Sequence, residues 1–198
     1  VPKIVDHDRR REEIAHVTCQ VVAEYGFRQA TIARIARAAG YTTGMVAHYY
    51  DSKQDIILAA LRLILKRIEE RLERRQGEDD ADILAVLSEA LPLDRQRYNE
   101  CAFWLAFWGE VPTDKSLRRL NSWVHREYQR LFARCFKTHW PQTMRWPKAV
   151  REQALRSVVT FINGLTASAV TSPADWPAAM QVAQLRLQLE MLRQLAEV

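Results

Sequence analysis

Apolar residues in this chain of 198 recur three, four and seven positions apart almost throughout, and only six glycines interrupt them. That spacing lines apolar side chains along one stripe of a helix, whereas a half-buried strand needs strict alternation, so the expected fold is all-α. Between about residue 8 and Tyr25 the stripe is Ile14, Val17, Val21, Val22 and Tyr25, and Gly26 stands where a helix is commonly closed. Two short helices fit between Ala30 and Tyr50, and a long one runs from about Lys53 to Arg75. Helical patterns continue over Ala81–Leu91, Arg95–Gly109, Thr113–His139, Pro147–Thr171 and Ala174–Ala196, which makes nine helices. Pro92, Pro112, Pro141, Pro147, Pro173 and Pro177 mark their boundaries, because proline fits the first turn of a helix and disrupts its interior. The polar, acidic stretch Gln76-Gly77-Glu78-Asp79-Asp80 reads as a loop, and no internal repeat is present.

Composition narrows the class. Apolar residues make up 48% of the chain and charged residues 27%, with ample aromatic material for a core, so a folded, soluble protein is expected. No run approaches the roughly 18 to 20 apolar residues of a membrane span, and the first residues lack the order of a secretory signal, which predicts a cytoplasmic protein with no membrane partner. Cys19, Cys101 and Cys135 are widely spaced among apolar neighbours, the pattern of buried reduced thiols rather than of disulfides or a metal site. The net charge of +5 suits a polyanionic partner without requiring one. The chain has no HExxH, no glycine-rich phosphate loop and no GxSxG, and His7, His16, His125 and His139 stand singly. No catalytic residues, metal or cofactor are therefore expected, and the chain does not read as an enzyme.

The most informative segment is residues 30–50. Ala36 stands four residues before Gly40, and Val46 follows six residues on. A small side chain lets two helices cross closely, glycine supplies a left-handed turn, and a β-branched residue fills the shared core; this is helix-turn-helix spacing. An ordinary helix hairpin with threonine caps has the same local pattern. In a DNA-binding unit the second helix enters the major groove, with its start and outward face at base edges. That face would carry Thr42, Thr43, Gly44, Met45, His48 and Tyr49. Thr43 can hydrogen-bond a base, Met45 can pack on a thymine methyl, and Gly44 permits close backbone approach. Thr31 and Lys53, at helix starts, and Arg34 on the first helix would hold phosphates.

The same segment closely resembles the TetR family of bacterial transcriptional regulators. The resemblance is carried by Gly26, Ala30-Thr31, Ile35-Ala36-Arg37-Ala38-Ala39-Gly40, Tyr49-Tyr50 and Lys53. Where many members have a tyrosine that touches phosphate, this chain has Ala47. Residues 1–53 hold eight Lys or Arg against six Asp or Glu, a modest excess to which Arg9-Arg10-Arg11 could add a phosphate contact. The resemblance implies a helix-turn-helix domain over residues 1–53 and a ligand-binding and dimerisation domain over residues 54–198. It also implies a homodimeric repressor on a palindromic double-stranded operator, with two recognition helices about 34 to 36 Å apart, released by a small-molecule inducer.

For the larger half, small residues Gly164 and Ser168 beside Val158, Val159, Phe161, Ile162 and Leu165, and the last helix with Met180, Ala183, Leu187, Met191, Leu192 and Leu195, are the dimer candidates. Burial within one subunit explains the same pattern. Glu100, Trp104 and Trp108 are each four apart, so a carboxylate and two indoles share a helical face. Such a set suits a quaternary ammonium ion, and the Trp-Leu-Ala-Phe-Trp run is similar to that of the choline-responsive repressors of the family. An aromatic stripe serves equally as core, and an apolar or aromatic inducer fits the same residues. The alternative reading of the whole chain is an all-α protein-interaction scaffold that does not bind DNA.

Overall fold

The computed structural model describes residues 3–76 and 82–195, and all regular structure among these residues is helical. Nine α-helices follow in order: α1 Lys3–Tyr25, α2 Ile32–Ala38, α3 Thr43–Tyr49, α4 Lys53–Gln76, α5 Ile83–Ser88, α6 Arg95–Glu110, α7 Lys115–His139, α8 Lys148–Thr171 and α9 Ala178–Leu195. Short 3-10 segments at Val111–Thr113 and Pro141–Arg145 join them around prolines. None of these helices is long and apolar enough to cross a membrane.

The boundaries differ from the periodicity in three places. α1 starts at Lys3, ahead of the expected start near residue 8, so Arg9-Arg10-Arg11 lie well inside it; nothing between Lys3 and Tyr25 breaks a helix, and charged residues propagate one without an apolar stripe. α9 begins only at Ala178, because Pro177 closes off the Ser172–Trp176 turn before it. α5 is capped by Asp82, whose carboxylate accepts from Ala85 N–H at 2.8 Å, and ends at Ser88 in i→i−3 bonds from Glu89, Ala90 and Leu91. Ala81, Ala196 and the Gly77–Asp80 part of the expected loop lie outside the described residues.

Contacts group the chain into two units, one running to Lys66 and including Ala102–Ser122, the other comprising Arg67–Cys101 and the residues from Trp123 onward. In the first, α1, α2 and α3 pack on one another. Gly40 takes φ +72° after α2, its N–H bonds Arg37 O at 3.1 Å, and Tyr41 N–H bonds Ala36 O at 2.8 Å. This is a Schellman closure, which satisfies the last carbonyls of α2 and turns the chain into α3 within four residues. Ile35, Ala36 and Val46 are fully buried where the two helices cross. Burial of the Val46 side chain alone contributes about 2 kcal/mol.

In the second unit α9 packs on α5 and α8, with Val158, Ile162, Leu185 and Leu189 in the core. Cys101 and Cys135 are buried free thiols there, and burial pushes them up to about 12 and about 11 respectively. They are inert neutral groups at ordinary pH.

Candidate nucleic-acid interface

α3 divides its residues cleanly. Val46 is buried and Tyr50, its C-cap, is 4% exposed, while Thr42, Thr43, Gly44, Ala47 and His48 are exposed and Met45 and Tyr49 half-buried. Thr42 caps the helix, its hydroxyl accepting from Met45 N–H at 3.1 Å; Thr31 does the same for α2 through Arg34 N–H at 3.2 Å. The cap hydroxyls hold these helices in place, and their side chains still lie at the surface. Arg34 lies over the Tyr25 ring at 4.4 Å and donates to Gln29 Oε1 at 3.0 Å. Beyond the Thr42 hydroxyl, nothing approaches within 4 Å of the place a side chain would occupy at Gly44. The threonines, Gly44 and His48 are thus open to solvent on a helix whose diameter, about 10 to 12 Å with side chains, is the dimension a major groove admits.

The N-terminal part of α1 holds the far end of α3. Arg11 donates to the Tyr49 carbonyl and lies 4.4 Å over the Tyr50 ring, so a cation sits at the negative end of the α3 dipole. Burial raises the Tyr50 phenol above its ordinary range, with Arg11 opposing. Of the expected phosphate triplet, Arg11 is therefore turned inward. Its partners lie 38 and 39 residues away, and no local signal in the sequence announces them. Tyr41 donates to Glu13 at 2.8 Å and ties the start of α3 to α1 in the same way.

Lys53 is placed at the start of α4, as expected, and its ammonium is already engaged. Nζ donates to Phe27 O at 2.7 Å and lies 4.8 Å from the centre of the Phe27 ring. Burial lowers its pKa, with the Glu110 charge opposing. Phe27 also meets Phe107 of α6, with ring centroids 6.3 Å apart, and the neighbouring Arg28 donates to Glu110 at 3.0 Å. The turn after α1 is thus joined to the end of α6 by a ring contact and an ion pair, and to the start of α4 by Lys53.

On α6, Trp104 and Trp108 are half-buried with ring centroids 5.9 Å apart, and Trp104 meets Phe107 edge-on at 6.0 Å. Glu100 is 3% exposed and accepts from Arg71 at 2.9 Å, Gln96 at 3.1 Å and Arg67 at 3.5 Å. Its negative charge is neutralised within the protein by two guanidinium groups. No cluster of three or more metal-ligating side chains occurs among the described residues. Of the dimer candidates, Val158, Ile162 and Leu165 point inward, whereas Met180, Leu187 and Met191 are 44%, 51% and 51% exposed along one side of α9.

Both halves of the chain resemble known proteins. Residues 14–60 match the family described as bacterial regulatory proteins, tetR family, and residues 79–194 match the BetI-type transcriptional repressor C-terminal domain. The transcriptional regulator BetI of Stenotrophomonas maltophilia is 33% identical over 162 residues, 79% of each chain. BetI of Pseudomonas fluorescens is 29% identical over 204 residues, covering 98% of this chain and 99% of its own. Among solved structures, a transcriptional regulator from Rhodococcus superposes with a TM-score of 0.79 at 26% identity, covering 95% of this chain and 98% of its own. A Saccharomonospora viridis regulator solved in complex with choline has the same fold, with a TM-score of 0.73 at 20% identity over 92% of this chain and 96% of its own.

Proposed function

This chain belongs to the TetR family of DNA-binding transcriptional regulators, with a BetI-type C-terminal domain, and we propose that it acts as a homodimeric repressor whose hold on a palindromic operator is loosened by a small molecule. The family is non-enzymatic. The observation that carries the proposal is the division of α3 into a locked inner face and an open outer one, since a rigid helix with exposed Thr43, Gly44 and His48 is a reading head. In this reading Thr43 and Met45 meet base edges. Thr31, Arg34, Thr42, His48, Tyr49 and the backbone N–H groups at Lys53 meet phosphates, which fix register without reading sequence.

Dimerisation is assigned to α8 and α9, where the exposed Met180, Leu187 and Met191 want an apolar partner. A second copy supplies the two-fold symmetry that places two heads on one face of the duplex. The inducer is a choline-like cation or an apolar molecule held against Trp104 and Trp108. Relatives named BetI and the choline-bound Saccharomonospora viridis structure support the cation, as do the paired indoles. With Glu100 already neutralised by Arg67 and Arg71, the rings rather than the carboxylate would meet the ligand's charge. A ligand that shifts α6 reaches the head through Phe107–Phe27 and Glu110–Arg28. Coupling of about 1 to 3 kcal/mol weakens operator binding roughly 5- to 150-fold.

A gel-shift assay with the DNA flanking the gene tests the proposal. A discrete shift that competitor DNA does not remove, and that choline or an apolar ligand reverses, is the expected result; a chain that retards no DNA refutes it.

A further inference from the structure

Three rings meet at the C-terminal end of α3. His7 lies 4.7 Å from Tyr49 and 6.2 Å from His48, and His48 lies 5.3 Å from Tyr49. Two of these rings belong to the recognition helix; the third comes from the first turns of α1. On α1, His7 and Arg11 are four residues apart and so project on the same side. Arg11 on that side bonds the Tyr49 carbonyl and covers the Tyr50 ring. The α1 face carrying both residues is therefore the one docked on the end of α3. Arg11 and His7 are both half-buried, and His7 lies beside the exposed His48.

We propose that His7 is a further DNA-contacting residue, which extends the phosphate-binding edge of the head from α3 onto the start of α1. The inference rests on the reading of α3 as the recognition helix. An imidazole carries an N–H donor in either tautomer, and a phosphate oxygen accepts it whatever the base sequence. The His7 ring lies tilted against Tyr49 and edge-on to His48, so the three residues form one continuous polar edge.

The test measures affinity of the full chain for two labelled duplexes, one recovered by selection from a random library and one of scrambled sequence, across a salt series. His7→Glu should weaken both by roughly tenfold or more, since it sets a negative charge against phosphate. His7→Arg should tighten both and steepen the dependence of log K on log salt by about one. Thermal midpoints of both variants should match the wild type, because the side chain is only half-buried. Affinities within about twofold of wild type for both variants, or an effect confined to the selected duplex, overturn the contact and leave the recognition helix standing. A wild-type chain that binds neither duplex overturns both readings.

Discussion

The Tyr50 hydroxyl donates to the Arg11 carbonyl at 2.8 Å while the Arg11 guanidinium lies over the Tyr50 ring, so each residue fixes the other at the junction of α1 and α3. Tyr50→Phe removes one part-buried hydrogen bond and should cost about 1 kcal/mol in denaturant unfolding. Arg11→Ala removes the ring contact and the cap on the Tyr49 carbonyl, and should cost about 1 to 2 kcal/mol. Both should weaken DNA binding by loosening the head. Unfolding curves that superpose on the wild type would show that this junction is not what holds α3.

Gly40 separates conformational cost from steric cost. Its φ of +72° is strained for any side chain, yet nothing lies within 4 Å of an added Cβ. Gly40→Ala should therefore cost about 1 to 2 kcal/mol from backbone strain alone, and Gly40→Asn less, since asparagine tolerates that region. Equal losses for the two variants would mean that crowding, rather than φ, decides the position.

Removing the Glu100 charge leaves Arg71, 10% exposed at its side chain, and Arg67 facing each other without their shared counter-ion. Glu100→Gln should destabilise the protein by about 3 to 5 kcal/mol. Trp104→Ala should instead abolish the response to inducer and spare operator affinity. An induction profile lost in Glu100→Gln at unchanged thermal midpoint would restore the carboxylate as a ligand contact.

Because Lys53 Nζ is spent on the Phe27 carbonyl and ring, Lys53→Met should lower stability and operator affinity without changing the salt slope. A slope reduced by about one would place the ammonium on a phosphate after all.

The buried Cys101 thiol, raised from 9.0 to about 12, gives a stability change with a definite sign. Below pH 9 the thiol is neutral in both folded and unfolded chains and contributes no pH dependence. Between about 9 and 12 only the unfolded chain ionises, so the folded state binds more protons and its stability falls as pH rises. The thermal midpoint of the wild type should drop further over that range than that of Cys101→Ala. Parallel curves would show that the thiol is solvated.

The helix-turn-helix was legible in the sequence because its signals are local: Gly40 needs φ above zero, Thr31 and Thr42 cap the residues three positions on, and Val46 must fill what Ala36 leaves open. Long-range pairings leave no such mark. Spacing on α6 places Glu100 in line with Trp104 and Trp108, but says nothing of the α4 arginines that take its charge. Likewise His7 reads as a solitary histidine until α1 is continued back to Lys3 and packed on α3. The apolar stripe of α9 was visible, and only the packing of Leu185 and Leu189 against the core shows which of its residues are left outside.

The separation of α3 into anchored and open positions also bears on how such a regulator changes over generations. Residues that keep the helix seated are distinct from those left open to solvent, so Thr43, Gly44 and His48 can be exchanged with little penalty to folding. A duplicated gene could acquire a new target site by drift at three or four surface codons, long before its ligand response or its pairing had altered.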